Sequence, residues 1–392
     1  MGAIPEEPPA EGRLSYRSAL VDRLRHLGEV RAGRLRLRMP RHFGFCWGVD
    51  RALAMVEEAR AAYPDRPLWL LNSIIHNPRV NRDLLEAGIG FLKGPLAEEG
   101  ALDRLGPEDV VIVPAFSAEV EEMRLLEQAG VTVVDTTCPW VIKPHKRTLK
   151  FIREGFTTVI HGTVGHDETR ATCSLVRDAG GHYAVVHDLD EASWLGRFLA
   201  GEIAAAELRA GLHPGALSPG LDPERDLRRI GIINQTTMLA SESRQVARIL
   251  RGALVRRHGE EALEHCFRDF DTICNATQEN QDAASAVMAA GVDLFLVVGG
   301  YDSSNTRNLA RVGDDAGVPS YHIEGPHCLE AGEIVHRDRI TGELVRARGW
   351  LPPGEATVGF TAGASTPDAV LEQVVERVVE LAGERLVLPE AV

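Results

Sequence analysis

Three of the six cysteines share a context that could do chemistry. Cys46 stands in Gly44-Phe45-Cys46-Trp47-Gly48-Val49, Cys138 in Asp135-Thr136-Thr137-Cys138-Pro139, and Cys274 in Asp271-Thr272-Ile273-Cys274-Asn275. Each is predicted at a strand-to-helix turn, where α/β folds present reactive groups. A polar cluster follows each one at nearly the same interval: His76 after Cys46, His166 after Cys138, and Ser303 after Cys274. A further turn completes each set: Pro114–Ser117 with Phe116, Asn234–Thr237 with Thr236, and Thr361–Pro367 with Ser365. Three thiolates facing a common centre suit zinc or an iron–sulfur cluster. Structural zinc usually takes a fourth protein ligand and catalytic zinc a water, whereas a cubane held by three cysteines leaves one iron open. His76, His166, Ser303, Ser304, Asn305 and Ser365 are donors at or near helix starts, a collection suited to a phosphate or diphosphate. Ser and Asn also cap helices for structural reasons, and the two roles are compatible.

Alternating short β-branched runs and amphipathic stretches must position these turns. Strands are predicted at Leu68–Ile74, Val110–Val113, Val131–Val134, Thr157–His161, Ile230–Asn234, Asp293–Gly299 and Thr357–Thr361. Helices are predicted at Val49–Ala62, Ser117–Gln128, Ser241–Arg257, Asn280–Ala290 and Pro367–Leu381. That alternation predicts an α/β fold with largely parallel sheets. The Cys–cluster–turn order divides the chain into an N-terminal extension (1–33) and three α/β units at 34–130, 131–257 and 258–392. The stretch 196–228, Gly- and Pro-rich in its second half, reads as an insertion decorating the middle unit. Arg337–Gly354 reads as a hairpin or loop before the last strand. From Arg13 to Arg41 there are nine arginines with only Asp22 and Glu29 as acids. This stretch reads as a solvated helix face followed by a strand, with an organellar transit peptide as the alternative.

Composition bounds the function classes. The chain has 392 residues, a formal net charge of −14, 44% hydrophobic and 26% charged residues. These are the proportions of a globular protein with a sizeable core, which excludes general disorder. No apolar run approaches the roughly 18 residues of a membrane span. The proline- and acid-bearing first residues do not read as a secretion signal. A net acidic surface argues against nonspecific nucleic-acid binding, and no membrane partner is expected. In a long chain with no secretion signal a disulfide framework is not expected, and without a C-x-x-C pair zinc ribbons and thioredoxin-type redox motifs lose their usual signal. Cys173, Cys266 and Cys328 read as small buried hydrophobes, and the expected location is cytoplasmic.

On these motifs the sequence resembles the 4-hydroxy-3-methylbut-2-enyl diphosphate reductase family, the last enzyme of the methylerythritol phosphate route to isoprenoids. The matching stretches are Gly44–Ala52, His76-Asn77, Thr137–Pro139, His166–Thr169, Gln235–Thr237, Thr272–Cys274, Ser303–Thr306 and Thr361–Pro367. The resemblance implies a three-lobed trefoil of α/β units, pseudo-threefold around a central 4Fe-4S cluster. It implies Cys46, Cys138 and Cys274 as the cluster's three ligands, with one iron open. His76, His166, Ser303, Ser304, Asn305 and Ser365 become the diphosphate-binding set. Glu168 becomes the proton-delivering acid, and Thr236 the hydroxyl that binds and orients the substrate's alcohol. The implied reaction removes an allylic hydroxyl with two electrons and two protons, giving isopentenyl and dimethylallyl diphosphate. The implied electron donor is a ferredoxin or flavodoxin, since Gly299-Gly300 lacks a G-x-G-x-x-G dinucleotide pattern. The arginine-rich stretch Arg13–Arg41 is one candidate patch for docking it. Phe116-Ser117 stands where the common bacterial pattern has His-Gly, and Asp167 where it has Pro. Both departures, with Trp47, resemble the plant and cyanobacterial branch. Phe116 cannot donate to phosphate and is read as a candidate cavity-lining residue. A zinc hydrolase and a non-catalytic iron–sulfur sensor are the rival readings.

Overall fold

The computed structural model describes residues 16–338 and 341–389. The first fifteen residues, with Arg13 of the arginine-rich stretch, lie outside them. The chain forms two compact units. Of the described residues, one comprises those up to Glu58, Ser73–Ala87 and those from Asn275 onward; the other comprises Ala59–Asn72 and Gly88–Cys274.

The second unit holds two four-stranded sheets, each parallel throughout. One runs Gly90–Phe91, Leu68–Leu70, Val110–Val113, Thr132–Asp135. The other runs Tyr183–Val186, Thr157–His161, Ile230–Asn234, Phe267–Asp269. The first unit holds the third sheet, whose parallel centre runs Ser320–Ile323, Leu294–Val298, Ala356–Ala362, Leu35–Arg38. Antiparallel strands extend it: Glu29–Ala32 at one edge, and at the other Leu329–Glu330, Glu333–Arg337 and Leu344–Arg348. The last two form a hairpin that begins at Glu333, ahead of the Arg337–Gly354 stretch expected as a hairpin or loop. Every residue of Val110–Val113, Thr157–His161, Ile230–Asn234 and Leu294–Val298 is buried, as parallel strands covered on both faces require.

All three sheets share one plan. In each, two neighbouring parallel strands end in the polar-cluster turn and the further turn, and the next parallel strand beside the latter leads to the cysteine. The repeat therefore runs cluster, turn, cysteine, and this moves the expected boundaries. Thr132–Asp135 closes the first sheet instead of opening the second, and Phe267–Asp269 closes the second. Leu35–Arg38, expected to open the first unit, supplies the cysteine-bearing strand of the C-terminal sheet. The physical reason lies in its alternation. Leu35 and Leu37 are fully buried in the core formed with Val358, Phe360, Leu371 and Val375, while Arg36 stays exposed.

The 196–228 stretch also differs from expectation. It contains helices Ala205–Gly211 and Pro223–Asp226, and Phe198, Leu199, Ile203, Leu208, Leu212, Ala216, Leu221 and Leu227 are all buried in the core of the middle sheet. Its glycines and prolines mark turns between buried segments rather than an ornament. Strand Leu68–Leu70 is shorter than expected because Asn81 intercepts the backbone beyond it. The Asn81 side chain accepts from Ile74 N and donates to the Ile75 carbonyl.

Candidate active site

In the unit that holds Cys138 and Cys274, the middle sheet presents three turns at the carboxyl ends of adjacent strands. His166 caps helix Asp167–Asp178, its Nδ1 accepting from Glu168 N at 3.2 Å. An accepting Nδ1 places the proton of the neutral ring on Nε2, which leaves Nε2 as a donor. Glu168, in the first helical turn, is 3% exposed. Its Oε1 accepts from Thr236 N at 2.7 Å and its Oε2 from Thr236 Oγ1 at 2.8 Å. Burial pushes the carboxyl up to about 7 against these two hydrogen bonds, which alone would lower it. An acid poised near neutrality is what general acid catalysis needs.

The third turn is tied to the same pair. Cys274 N donates to the Thr236 carbonyl at 3.2 Å, and Thr272 Oγ1 accepts from Asn234 N and donates to the Asn234 carbonyl. Gln235 binds the cluster turn from the other side, its Oε1 accepting from Thr163 N and Thr169 Oγ1. Sequence reasoning quoted Gln235 and Thr272 only as parts of motifs. The signal that could have found their role is an amide and a hydroxyl just after a strand, both buried here, where a buried polar group must be satisfied.

The first sheet contributes Cys138 and Phe116 to this unit. Cys138 caps helix Pro139–Arg153, and its N–H donates to the Ala115 carbonyl at 2.8 Å. Phe116 is 8% exposed, its ring edge-on to His166 with centroids 6.5 Å apart. Ser117 has φ 76°, a left-handed backbone at a non-glycine residue. This is the place where the common family pattern carries glycine, which adopts that backbone without cost. Helix Val120–Ala129 follows and is bound to the His166–Glu168 helix by Val120 N on Ser174 Oγ and by the Glu119–Arg170 pair.

The other unit carries Cys46, His76, the Ser303–Asn305 turn and Ser365. Cys46 directly precedes helix Trp47–Ala62, and its N–H donates to the Ala364 carbonyl at 3.2 Å. Ser303 caps helix Ser304–Asp315 by accepting from Thr306 N. Ser303, Ser304 and Asn305 are each buried. Asn305 Oδ1 accepts from Ala364 N at 2.9 Å, joining this turn to that of Ser365, and Ser365 Oγ donates to the His76 carbonyl at 3.4 Å. A Cβ on Gly300 would lie 2.4 Å from the His76 carbonyl oxygen, and one on Gly363 would lie 2.0 Å from Thr306 Oγ1. Only glycine permits these close approaches. Within each unit, therefore, the expected site residues are joined turn to turn.

The cysteines divide as their contexts foretold. Cys46, Cys138 and Cys274 are half-buried at helix starts. Cys173, Cys266 and Cys328 are buried in cores, and burial pushes the Cys173 thiol up to about 12. Among the described residues no group of three or more His, Cys, Asp or Glu side chains stands ready as a metal cage. The fit of an iron–sulfur group thus rests on donor chemistry, and half-buried cysteine thiols, two in one unit and one in the other, are of the soft-donor type that such a group takes.

Comparison with known proteins gives this arrangement a family. A chain from Synechococcus sp. (strain RCC307), named 4-hydroxy-3-methylbut-2-enyl diphosphate reductase, is 44% identical over 96% of this chain and 92% of its own. A protein of the same name from Gloeobacter violaceus is 43% identical over 95% of this chain and 89% of its own. These cyanobacterial relatives agree with the branch suggested by Trp47 and Phe116. A solved structure of (E)-4-hydroxy-3-methyl-but-2-enyl diphosphate reductase, the terminal enzyme of the non-mevalonate pathway, matches with TM-score 0.52 and 27% identity, over 88% of this chain and 99% of that one. The Plasmodium falciparum E-1-hydroxy-2-methyl-but-2-enyl-4-diphosphate reductase structure shares the fold at TM-score 0.64 and 19% identity, over 87% of this chain and 86% of that one. The LytB protein model matches residues 37–379, from the strand that carries Cys46 to the last helix, and the chain belongs to that family.

Proposed function

We propose that this chain reduces 4-hydroxy-3-methylbut-2-enyl diphosphate to isopentenyl and dimethylallyl diphosphate, consuming two electrons and two protons and releasing water. The observation that carries the reading is the buried Glu168–Thr236 pair, with its carboxyl raised to about 7. Family membership and the relatives' names support it. LytB proteins are iron–sulfur enzymes, and Cys46, Cys138 and Cys274 would hold a 4Fe-4S cluster with one iron open. When bound, that cluster supplies the electrons.

The chain's own residues do the rest. Thr236 Oγ1 donates to Glu168 and keeps lone pairs with which to accept from and orient the substrate's hydroxyl. Glu168, protonated over a large fraction of the time near neutrality, delivers the proton with which that oxygen leaves as water. The start of helix Ser304–Asp315, with Ser303, Ser304 and Asn305, offers N–H and hydroxyl donors to the diphosphate. His76, His166 through Nε2, and Ser365 complete that set. Phe116, edge-on to His166, holds that ring and lines the cavity, excluding water from the reacting carbons. The donor in this reading is a ferredoxin or flavodoxin. The location is the cytoplasm, whose reducing character suits six free thiols. Among the described residues no helix is long and apolar enough to cross a membrane.

Anaerobic turnover with a chemical reductant, coupled to iron and sulfide analysis, tests the reading. Both five-carbon products and acid-labile sulfide are expected. Equimolar zinc without sulfide would install the hydrolase rival, and a cluster without turnover the sensor.

A further inference from the structure

We propose that the basic face of helix Pro139–Arg153 is the docking surface for an acidic one-electron carrier protein, an inference that rests on the reductase reading. The helix begins directly after Cys138 and contains no acid, on a chain whose net charge is −14. Lys143, Lys146, Arg147, Lys150 and Arg153 recur at three- and four-residue steps and so share one stripe. Val141, Pro144, Thr148 and Phe151 form the opposite, buried face. Lys146, Lys150 and Arg153 are exposed. Among the described residues the only ion pair made by any of the five is Lys150–Glu154, at 3.6 Å.

The end of the stripe nearest Cys138 is aromatic. Lys143 Nζ lies 5.0 Å from the Trp140 ring centroid and 5.5 Å from that of Phe270, and the Arg147 guanidinium lies 3.6 Å from that of Phe270. Trp140 is two residues from Cys138 and Phe270 four residues before Cys274. The patch thus adjoins two of the three turns expected to hold the redox group. The acids flanking its elements in sequence are Asp135, Glu154, Asp269 and Asp271. Asp135 is engaged by Thr137 N and Asp271 by Ile273 N, so both are tied to their own turns.

A helix of this length offers a stripe of roughly 22 Å, the scale of one face of a small carrier. Its aromatic end adjoins the Cys138 and Cys274 turns, where the reductase reading has electrons enter. Each encounter oxidises the carrier by one electron, and two encounters supply the pair that the reaction consumes. Charge complementarity of this kind acts mainly on encounter rate and salt dependence.

The test is the triple variant K146E/K150E/R153E, whose exposed positions leave the fold intact; thermal melting checks this. With a chemical reductant its turnover should match the parent. With an acidic 2Fe-2S ferredoxin as probe, its KM for the donor should rise by about tenfold or more. Direct titration of oxidised ferredoxin should show affinity that falls with salt in the parent and is already lost in the variant. Unchanged ferredoxin KM and affinity would overturn the proposal. So would ferredoxin-independent binding of the parent helix face to anionic vesicles or duplex DNA that the variant loses. If the parent itself fails with the chemical reductant, the reductase reading falls, while the titration still decides the surface.

Discussion

At Glu168 two opposing effects are visible on one side chain. Two hydrogen bonds from Thr236 favour the carboxylate, and burial disfavours it more, leaving the acid near 7 rather than its ordinary 4.5. Folding therefore takes up a proton between about 4.5 and 7. Its contribution to stability falls as pH rises through that window and is constant on either side. Glu168→Gln keeps the shape and lets the amide donate to Thr236 Oγ1. Turnover should drop roughly a hundredfold or more, and the parent's loss of rate above about pH 7 should vanish from the remainder. Denaturant titrations of the variant should lose the stability slope between 4.5 and 7. Near-normal turnover would remove Glu168 from the chemistry, leaving a helix-start carboxylate near the dipole. Both residues were legible in the sequence because a motif carried them. Their bonding was not, since the partners lie in different turns far apart along the chain.

Among the elements, legibility followed burial. The strands buried at every residue stood out as β-branched runs, whereas helices Pro139–Arg153, Asp167–Asp178 and Ser304–Asp315 were expected only as starts after the site turns, without their extents. Each of these starts at a site turn. Their first residues read as motif chemistry, and their apolar positions are diluted by Thr, Ser, Asn and Cys that face the core. The 196–228 stretch was misjudged for the converse reason: its glycines masked a row of buried leucines. Gly196 itself sits where a Cβ would meet Ile249 Cγ2 at 3.1 Å, allowing helix Leu189–Leu199 to approach helix Ala240–His258. Leu208, fully buried there, separates the two views. Leu208→Ala should cost about 2–5 kcal/mol if the segment is core. A decorating loop would tolerate the change within about 0.5 kcal/mol. Chemical denaturation of the middle sheet, followed by Trp194 fluorescence, reads the difference.

For the chain as a whole, the threefold pattern was legible as spacing but its phase was not. Spacing alone cannot tell whether a cysteine opens a repeat or closes the previous one; only strand pairing decides that. The N-terminal strand Leu35–Arg38 pairs in parallel with Ala356–Ala362, so the third repeat is completed by the beginning of the chain. This arrangement has an energetic consequence. The Cys46 turn, which follows that strand, depends on a parallel partner from the far end of the sequence, Ala356–Ala362, itself paired with Leu294–Val298. Its order is set by long-range pairing, not by local propensity. Leu37 is fully buried between that strand and the C-terminal helix Asp368–Leu381. Leu37→Ala should therefore cost about 2–5 kcal/mol, and the loss should be confined to one unit. Hydrogen exchange should speed in Leu35–Arg38, Ala356–Ala362 and Leu294–Val298, while Thr157–His161 and Ile230–Asn234 keep their protection. Iron retention should fall together with the protection of Ala356–Ala362, because the Cys46 and Ala364 turns are bonded to each other. Equal loss of protection in both units would instead mean that the chain unfolds as one cooperative body, and the closing strand would then have no local role in ordering Cys46.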